Sequence, residues 1–178
     1  MKLKIALAFL LSVTSVSMTP ALAHGPTPIK VDEKITVPAD PKAVWALVGH
    51  FGSLDWHPDV ASVKATGGDA NGAVREITLR KGGVVTESLD EYDPQQMKLS
   101  YRMSDANLDA LPISSYSATL AVKPAAGGGS EVQWYGRLYR GDTSNEPPDN
   151  LNDDAAREAM TTFLKDGLQG IAKKLQGK

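Results

Sequence analysis

The feature that most limits how this chain can fold is a long middle section written in period two, followed by a single stretch in the helical period. Apolar and polar side chains alternate through six segments, 60–66, 73–80, 84–92, 97–103, 113–123 and 131–140. The breaks "GGDANG", "KGG", "DPQQ" and "PAAGGGS" consist largely of Gly, Pro, Asp and Asn, the residues that reverse a chain. Strands joined by such breaks pair with their neighbours as antiparallel hairpins. A seventh alternating stretch, 29–37, precedes them.

Between that first strand and the rest, Asp40 and Pro41 open a helix as N-cap and first-turn proline, and Gly49 ends it. A second short helical turn is expected at 53–56, stopped by Pro58. At the far end, Asn152, Asp153 and Asp154 suit the start of a helix. Met160, Phe163, Leu164, Gly167, Leu168, Ile171 and Leu175 then recur at three- and four-residue spacing. The fold class is therefore α+β, a bent seven-stranded antiparallel sheet around a long C-terminal helix, with two short helices after strand 1. No repeat or linker divides it, so residues 24–178 are expected to form one domain. The acidic, Pro-rich "GDTSNEPPDNLND" is a loop within that domain.

Residues 1–23 read as a signal peptide. Lys2 and Lys4 precede the apolar run 5–16, and Ala21 and Ala23 form an A-x-A site, so cleavage is expected after Ala23. The apolar run is shorter than the roughly 20 residues a spanning helix needs. The chain is thus expected in the periplasm, with no membrane span after cleavage. Its formal net charge is −2, and loss of Lys2 and Lys4 takes it to −4, which speaks against a nucleic-acid partner. Cysteine is absent, which removes disulfides, thiolate chemistry and thiolate metal ligands together.

The strand pattern also predicts which side chains face inward. A three-residue loop of Arg80, Lys81 and Gly82 sets Ile77 opposite Val85 and Arg75 opposite Glu87, on the face that carries Leu79 and Leu89. A two-residue loop would shift that register. An inward Arg75–Glu87 pair costs several kcal/mol of hydration per ion. It is either a structural ion pair or a polar anchor for a ligand in an apolar cavity. Parity places Tyr101, Tyr116 and Trp134 on the same inner face, where such residues pack and satisfy their polar tips.

The segment "HFGSLDWHPDV" concentrates His50, Trp56 and His57 after the first helix. The two histidines are seven apart, without metal-binding spacing, and no G-x-S-x-G, H-E-x-x-H or phosphate loop occurs. Trp56 and His57 are read as the rim of the cavity, an apolar lid and a hydrogen-bonding tip, fixed by Pro58. A copper chelate built on a mature N-terminal His24, with His50 or His57, is the one metal arrangement this pattern could support. No catalytic constellation, cofactor or metal site is assigned. The residues expected at a ligand site are Trp56, His57, Arg75, Glu87, Tyr101, Tyr116 and Trp134.

The order of elements resembles the START-like (SRPBCC) polyketide cyclase/dehydrase superfamily, the helix-grip fold. The motifs that carry the likeness are "ADPKAVWALVGHFGSLDWHPDV", "GAVREITL", "ESLDEYD", "LSYRM", "EVQWYGRLY" and "DGLQGIAKKL". Within it, "HGPTPIKVDEKI" and "NEPPDN" are similar to the MxaD proteins, periplasmic proteins of methanol-oxidising bacteria. That resemblance implies an accessory protein with a ligand cavity, acting between methanol dehydrogenase and its cytochrome c acceptor. Two other functions are open to the same fold: a cyclase- or dehydratase-like enzyme, and a carrier of a hydrophobic or amphipathic small molecule.

Overall fold

The computed structural model describes residues 25–177; the expected signal segment, its cleavage point and His24 lie outside the described residues. The alternating segments become strands β1 (Ile29–Val37), β2 (Val60–Thr66), β3 (Val74–Leu79), β4 (Val84–Asp93), β5 (Lys98–Asp105), β6 (Ile113–Pro124) and β7 (Ser130–Arg140). They form one antiparallel sheet in the order β1-β7-β6-β5-β4-β3-β2. Bulges interrupt the register between β2 and β3, twice between β4 and β5, and at the start of β6. Each adds local twist, and together they curl the sheet around its helix. Helix α1 (Pro41–Val48) follows β1, and α2 (Asp153–Gln176) closes the inner face, packing mainly on β1 and β7.

The caps follow the sequence. The Asp40 carboxylate accepts from the Lys42 amide at 2.8 Å, and the Asn152 side chain accepts from the Ala155 amide at 2.9 Å. Asp153 and Asp154 lie in the first turn of α2 and Lys173 and Lys174 in its last, matching the helix dipole at both ends. Gly49 ends α1 for a different reason from a left-handed cap. Its φ is −77°, but a Cβ there would meet the Trp45 indole at 2.5 Å.

Three boundaries differ from expectation. The second short helix at 53–56 does not form; the chain makes successive turns instead, with Ser53 bonded to His50 and His57 to Leu54. Pro58 supplies no amide to extend them into a helix. Strand β5 starts at Lys98 because Met97 takes φ 50°, at the end of a turn held by Asp93, whose carboxylate accepts from the Gln95 and Gln96 amides. A single 3-10 turn, Asp149–Leu151, precedes α2 within the acidic loop.

The register expected from Gly82 is the observed one. Ile77 faces Val85 and Arg75 faces Glu87, while the Gly82 amide bonds the Leu79 carbonyl at 3.0 Å and the Leu79 amide bonds the Gly83 carbonyl at 3.1 Å. Both Gly82 and Gly83 take positive φ. Gly83 is also held by space, since a Cβ there would meet Ala110 at 2.6 Å. The loop before β6 therefore packs directly on the hairpin tip. The core lies between sheet and α2, with Trp134, Leu138, Leu164 and Ile171 almost wholly buried.

Candidate functional site

Five of the seven expected site residues meet in one buried polar network. Arg75 donates through Nε to Glu87 Oε2 at 2.5 Å and through Nη1 to the Phe51 carbonyl at 2.8 Å. Its guanidinium also lies between two aromatic rings, 4.3 Å from the Phe51 centroid and 4.7 Å from that of Tyr101. The second Glu87 oxygen accepts from the Tyr116 hydroxyl. Trp134 Nε1 donates to the Tyr101 hydroxyl at 2.7 Å. Strand alternation explains the convergence, because Arg75, Glu87, Tyr101, Tyr116 and Trp134 all sit at inward positions of β3 to β7. Burial disfavours charge on Arg75, but the Glu87 carboxylate together with Tyr101 and Tyr116 outweighs it, and the guanidinium pKa is raised. Burial, reinforced by Glu87, pushes both tyrosine phenols up, so they stay protonated at neutral pH.

Trp56 and His57 lie deeper than a rim; each side chain is buried beneath α2. The cause is a notch in the helix. At Gly167 a Cβ would come within 2.7 Å of the His57 and Trp134 rings, and at Gly170 it would overlap the Trp56 carbonyl. Two glycines three residues apart therefore let the loop seat against the helix. His57 Nε2 donates to the Phe163 carbonyl at 3.0 Å, while Nδ1 accepts from the Asp59 amide at 3.2 Å, which fixes the neutral tautomer. The imidazole stacks on Phe163 at 4.0 Å and meets Trp134 edge-on. Burial lowers its pKa to about 4, against the opposing pull of the Phe163 carbonyl and Asp166. Trp56 packs on Trp134 at 5.6 Å, and its indole N–H is the one buried side-chain polar atom without a partner among the described residues.

A roomier cleft lies elsewhere. A cleft of about 740 Å³ opens between α2, the β3–β4 hairpin tip and the loop before β6. Leu79, Leu111, Ala155, Ala159 and Phe163 give it an apolar lining. Arg80 and Lys81 stand on the hairpin side, and Glu158 and Asp166 on the helix side. None of the seven expected residues lines it. Ala155, Ala159 and Phe163 recur every four residues, a helical stripe whose small members leave the room. That spacing was the available signal. Trp56 and His57 border a separate cavity of about 400 Å³ together with Lys173 and Lys174. His50 pairs with Asp69 at 3.1 Å, and among the described residues no three His, Asp or Glu side chains gather as metal ligands.

A curled antiparallel sheet gripping one long helix, with a cleft along that helix, defines a ligand-binding helix-grip protein. The chain belongs to the family described as polyketide cyclase/dehydrase and lipid transport, whose model matches residues 28–176. It is similar to the solved structure of XoxI from Bacillus cereus, at 26% identity and TM-score 0.68 over 82% of this chain and 94% of that one. An uncharacterised protein from Bacillus thuringiensis is alike at 25% identity and TM-score 0.68, over 82% of this chain and 98% of that one. Ara h 8.0201, at 16% identity and TM-score 0.64 over 85% of this chain and all (100%) of its own, shares the fold. No curated protein matches the chain. Among the described residues no helix is long and apolar enough to cross a membrane.

Two outcomes follow from this geometry. Arg75→Met and Glu87→Leu should each cost about 3–5 kcal/mol, since each leaves an unpaired buried charge. The double variant should cost less than their sum by more than about 1 kcal/mol in urea unfolding; additive losses would show that the pair is not coupled. His57 gives a pH signature. Its folded pKa of about 4 lies below the unfolded value of 6.5, so the unfolded chain takes up the proton first. The stability held by the neutral ring is complete above pH 6.5 and falls away as pH drops towards 4, by roughly 3 kcal/mol in all. Urea midpoints at pH 7 and pH 4.5 should therefore differ more in the parent than in His57→Gln.

Proposed function

We propose that the protein binds a small amphipathic molecule in the cleft between α2 and the β3–β4 hairpin, and acts in the periplasm by binding rather than by turnover. The observation that carries this reading is the cleft itself, whose lining combines apolar side chains with the charged Asp59, Arg80, Lys81, Glu158 and Asp166. The family description, which includes lipid transport, supports an apolar ligand. The signal-like pattern of residues 1–23 supports the location. Phe163 separates the cleft from the aromatic interior, because it lines the one and stacks on His57 in the other. A ligand that displaces this ring reaches His57 and Trp134, and beyond them the unpartnered Trp56 N–H. The seven interior residues then form the inner end of the site, with the Arg75–Glu87 network as its polar base.

An enzymatic reading, cyclase- or dehydratase-like, would need His57, Tyr101 or the Arg75–Glu87 pair to meet a substrate. Both His57 nitrogens are engaged, and Tyr101, Tyr116, Arg75 and Glu87 are hydrogen-bonded to interior partners and do not line the cleft, which favours binding. The test is to fill the cleft. Ala159→Trp should weaken binding of the amphipathic dye 8-anilinonaphthalene-1-sulfonate about tenfold, or by about 1.4 kcal/mol, with the melting temperature kept. Equal dye binding by parent and variant would overturn the cleft as the site.

A finer reading gives the protein an accessory role between methanol dehydrogenase and its cytochrome c acceptor. Its support is the resemblance to MxaD proteins, together with the acidic loop before α2. Arg140 ties that loop down through the Asp142 and Ser144 carbonyls, at 2.7 Å each, and the Asp153 carboxylate at 3.1 Å. Glu146 and Asp149 remain exposed. Such charges act on association rate and are screened by salt. Glu146→Gln with Asp149→Asn spares the ties and should slow association with either partner at low salt only. Unchanged rates at low salt would remove the loop as a docking surface.

A further inference from the structure

The outward face of the sheet carries a second, unrelated arrangement. Lys30 on β1 is the direct cross-strand partner of Arg137 on β7, which faces Ser117 on β6, which in turn faces Arg102 on β5. All four side chains are exposed. Lys30 and Arg137 are thus like charges directly opposite each other, a destabilising pairing in a sheet. No carboxylate lies within salt-bridge distance of either among the described residues, whereas Arg102 pairs with Asp90 at 2.5 Å. Asp32, on the neighbouring rung, accepts from Gln133. Arg157 reaches round the β1 edge to the Lys30 carbonyl at 3.4 Å and adds to the positive charge.

The row is also shaped. Two concavities, of about 460 and 340 Å³, open on this face and meet at Ser117 and Arg137. Ser117 is the short side chain in a row of long cations, so it leaves a notch. Arg137 and Arg102 flank that notch from strands two spacings apart, roughly 9–10 Å. Tyr135 lines one concavity and Tyr139 the other, and both rings are partly open to solvent.

We infer that this row is a binding site for an organic phosphate monoester, with its phosphoryl group seated over Ser117 between Arg137 and Arg102, and its organic part on Tyr135 or Tyr139. Guanidinium groups present paired donors that match phosphate oxygens, and the serine hydroxyl supplies a further donor. Three cations (Lys30, Arg102, Arg137) against two acids (Asp32, Asp90) line the two concavities, so positive charge is in excess there, and Arg157 at the β1 edge adds to it. A phosphate monoester, at about −2 at neutral pH, is drawn to that excess. The site lies on the opposite face of the sheet from the cleft and does not depend on it.

The experiment is an amide-shift titration of the protein with phenyl phosphate at constant ionic strength. Saturating shifts at Ser117, Arg137 and Arg102 are expected in the parent. Arg137→Gln should bind about tenfold more weakly, because it removes one charge-assisted contact. Lys123→Gln, an exposed lysine at the far end of β6, should bind as the parent does. Shifts that never saturate, equal binding by Arg137→Gln, or an equal loss in Lys123→Gln would each reduce the effect to a diffuse ion atmosphere and overturn the site.

Discussion

Everything inside this grip is arranged around one ion pair taken out of water. Two opposite charges in an apolar interior are tolerated only if their geometry is good and their remaining hydrogen-bonding capacity is filled. Arg75 and Glu87 meet both conditions by recruiting neighbours. Phe51 gives its carbonyl and its ring from the loop after α1, Tyr101 gives its ring from β5, and Tyr116 gives its hydroxyl from β6. Four strands, β3 to β6, and the loop after α1 must therefore arrive together, and a curled sheet is the surface that brings them. An apolar pair of the same volume would place no such demand on the loop.

The second constraint is the closure of the grip by α2. The helix contributes an apolar stripe, as any such helix does, but its position is set by contact with the 54–58 loop. His57 borrows a carbonyl from the helix backbone, and Phe163 covers the imidazole ring. Phe163 has a part on both sides, since it covers the His57 ring and also lines the open cleft.

Much of the scaffold was legible in the sequence because its rules are local. Gly82 fixed the β3–β4 register, and that register placed Arg75 against Glu87; strand parity then put Tyr101, Tyr116 and Trp134 beside them. The cleft was legible only on its helix side, where Ala155, Ala159 and Phe163 recur; its other walls, Leu79 to Lys81, Leu111 and Pro112, are brought to that side only by the bend of the sheet. The depth of Trp56 and His57 was missed for a related reason. A loop marked by Pro58 reads as a rim, and only the space left by Gly167 and Gly170, more than a hundred residues away, turns it into part of the interior. Segment 53–56 carries helix-compatible residues, yet the turn before Pro58 has no amide to propagate it.

The glycine notch has a wider meaning for anyone altering this protein. Interior glycines cost a helix about 1 kcal/mol each relative to alanine, so replacing them is a routine way to make a helical protein hardier. Here the missing methyl groups are the socket into which another part of the chain plugs. Filling either one would strengthen α2 as an isolated helix while prising it from the sheet, because the neighbouring atoms are a buried indole, a buried imidazole and a backbone carbonyl with nowhere to retreat. The helix is weaker on its own terms so that it can fit, and its usefulness to the fold lies in what it lacks.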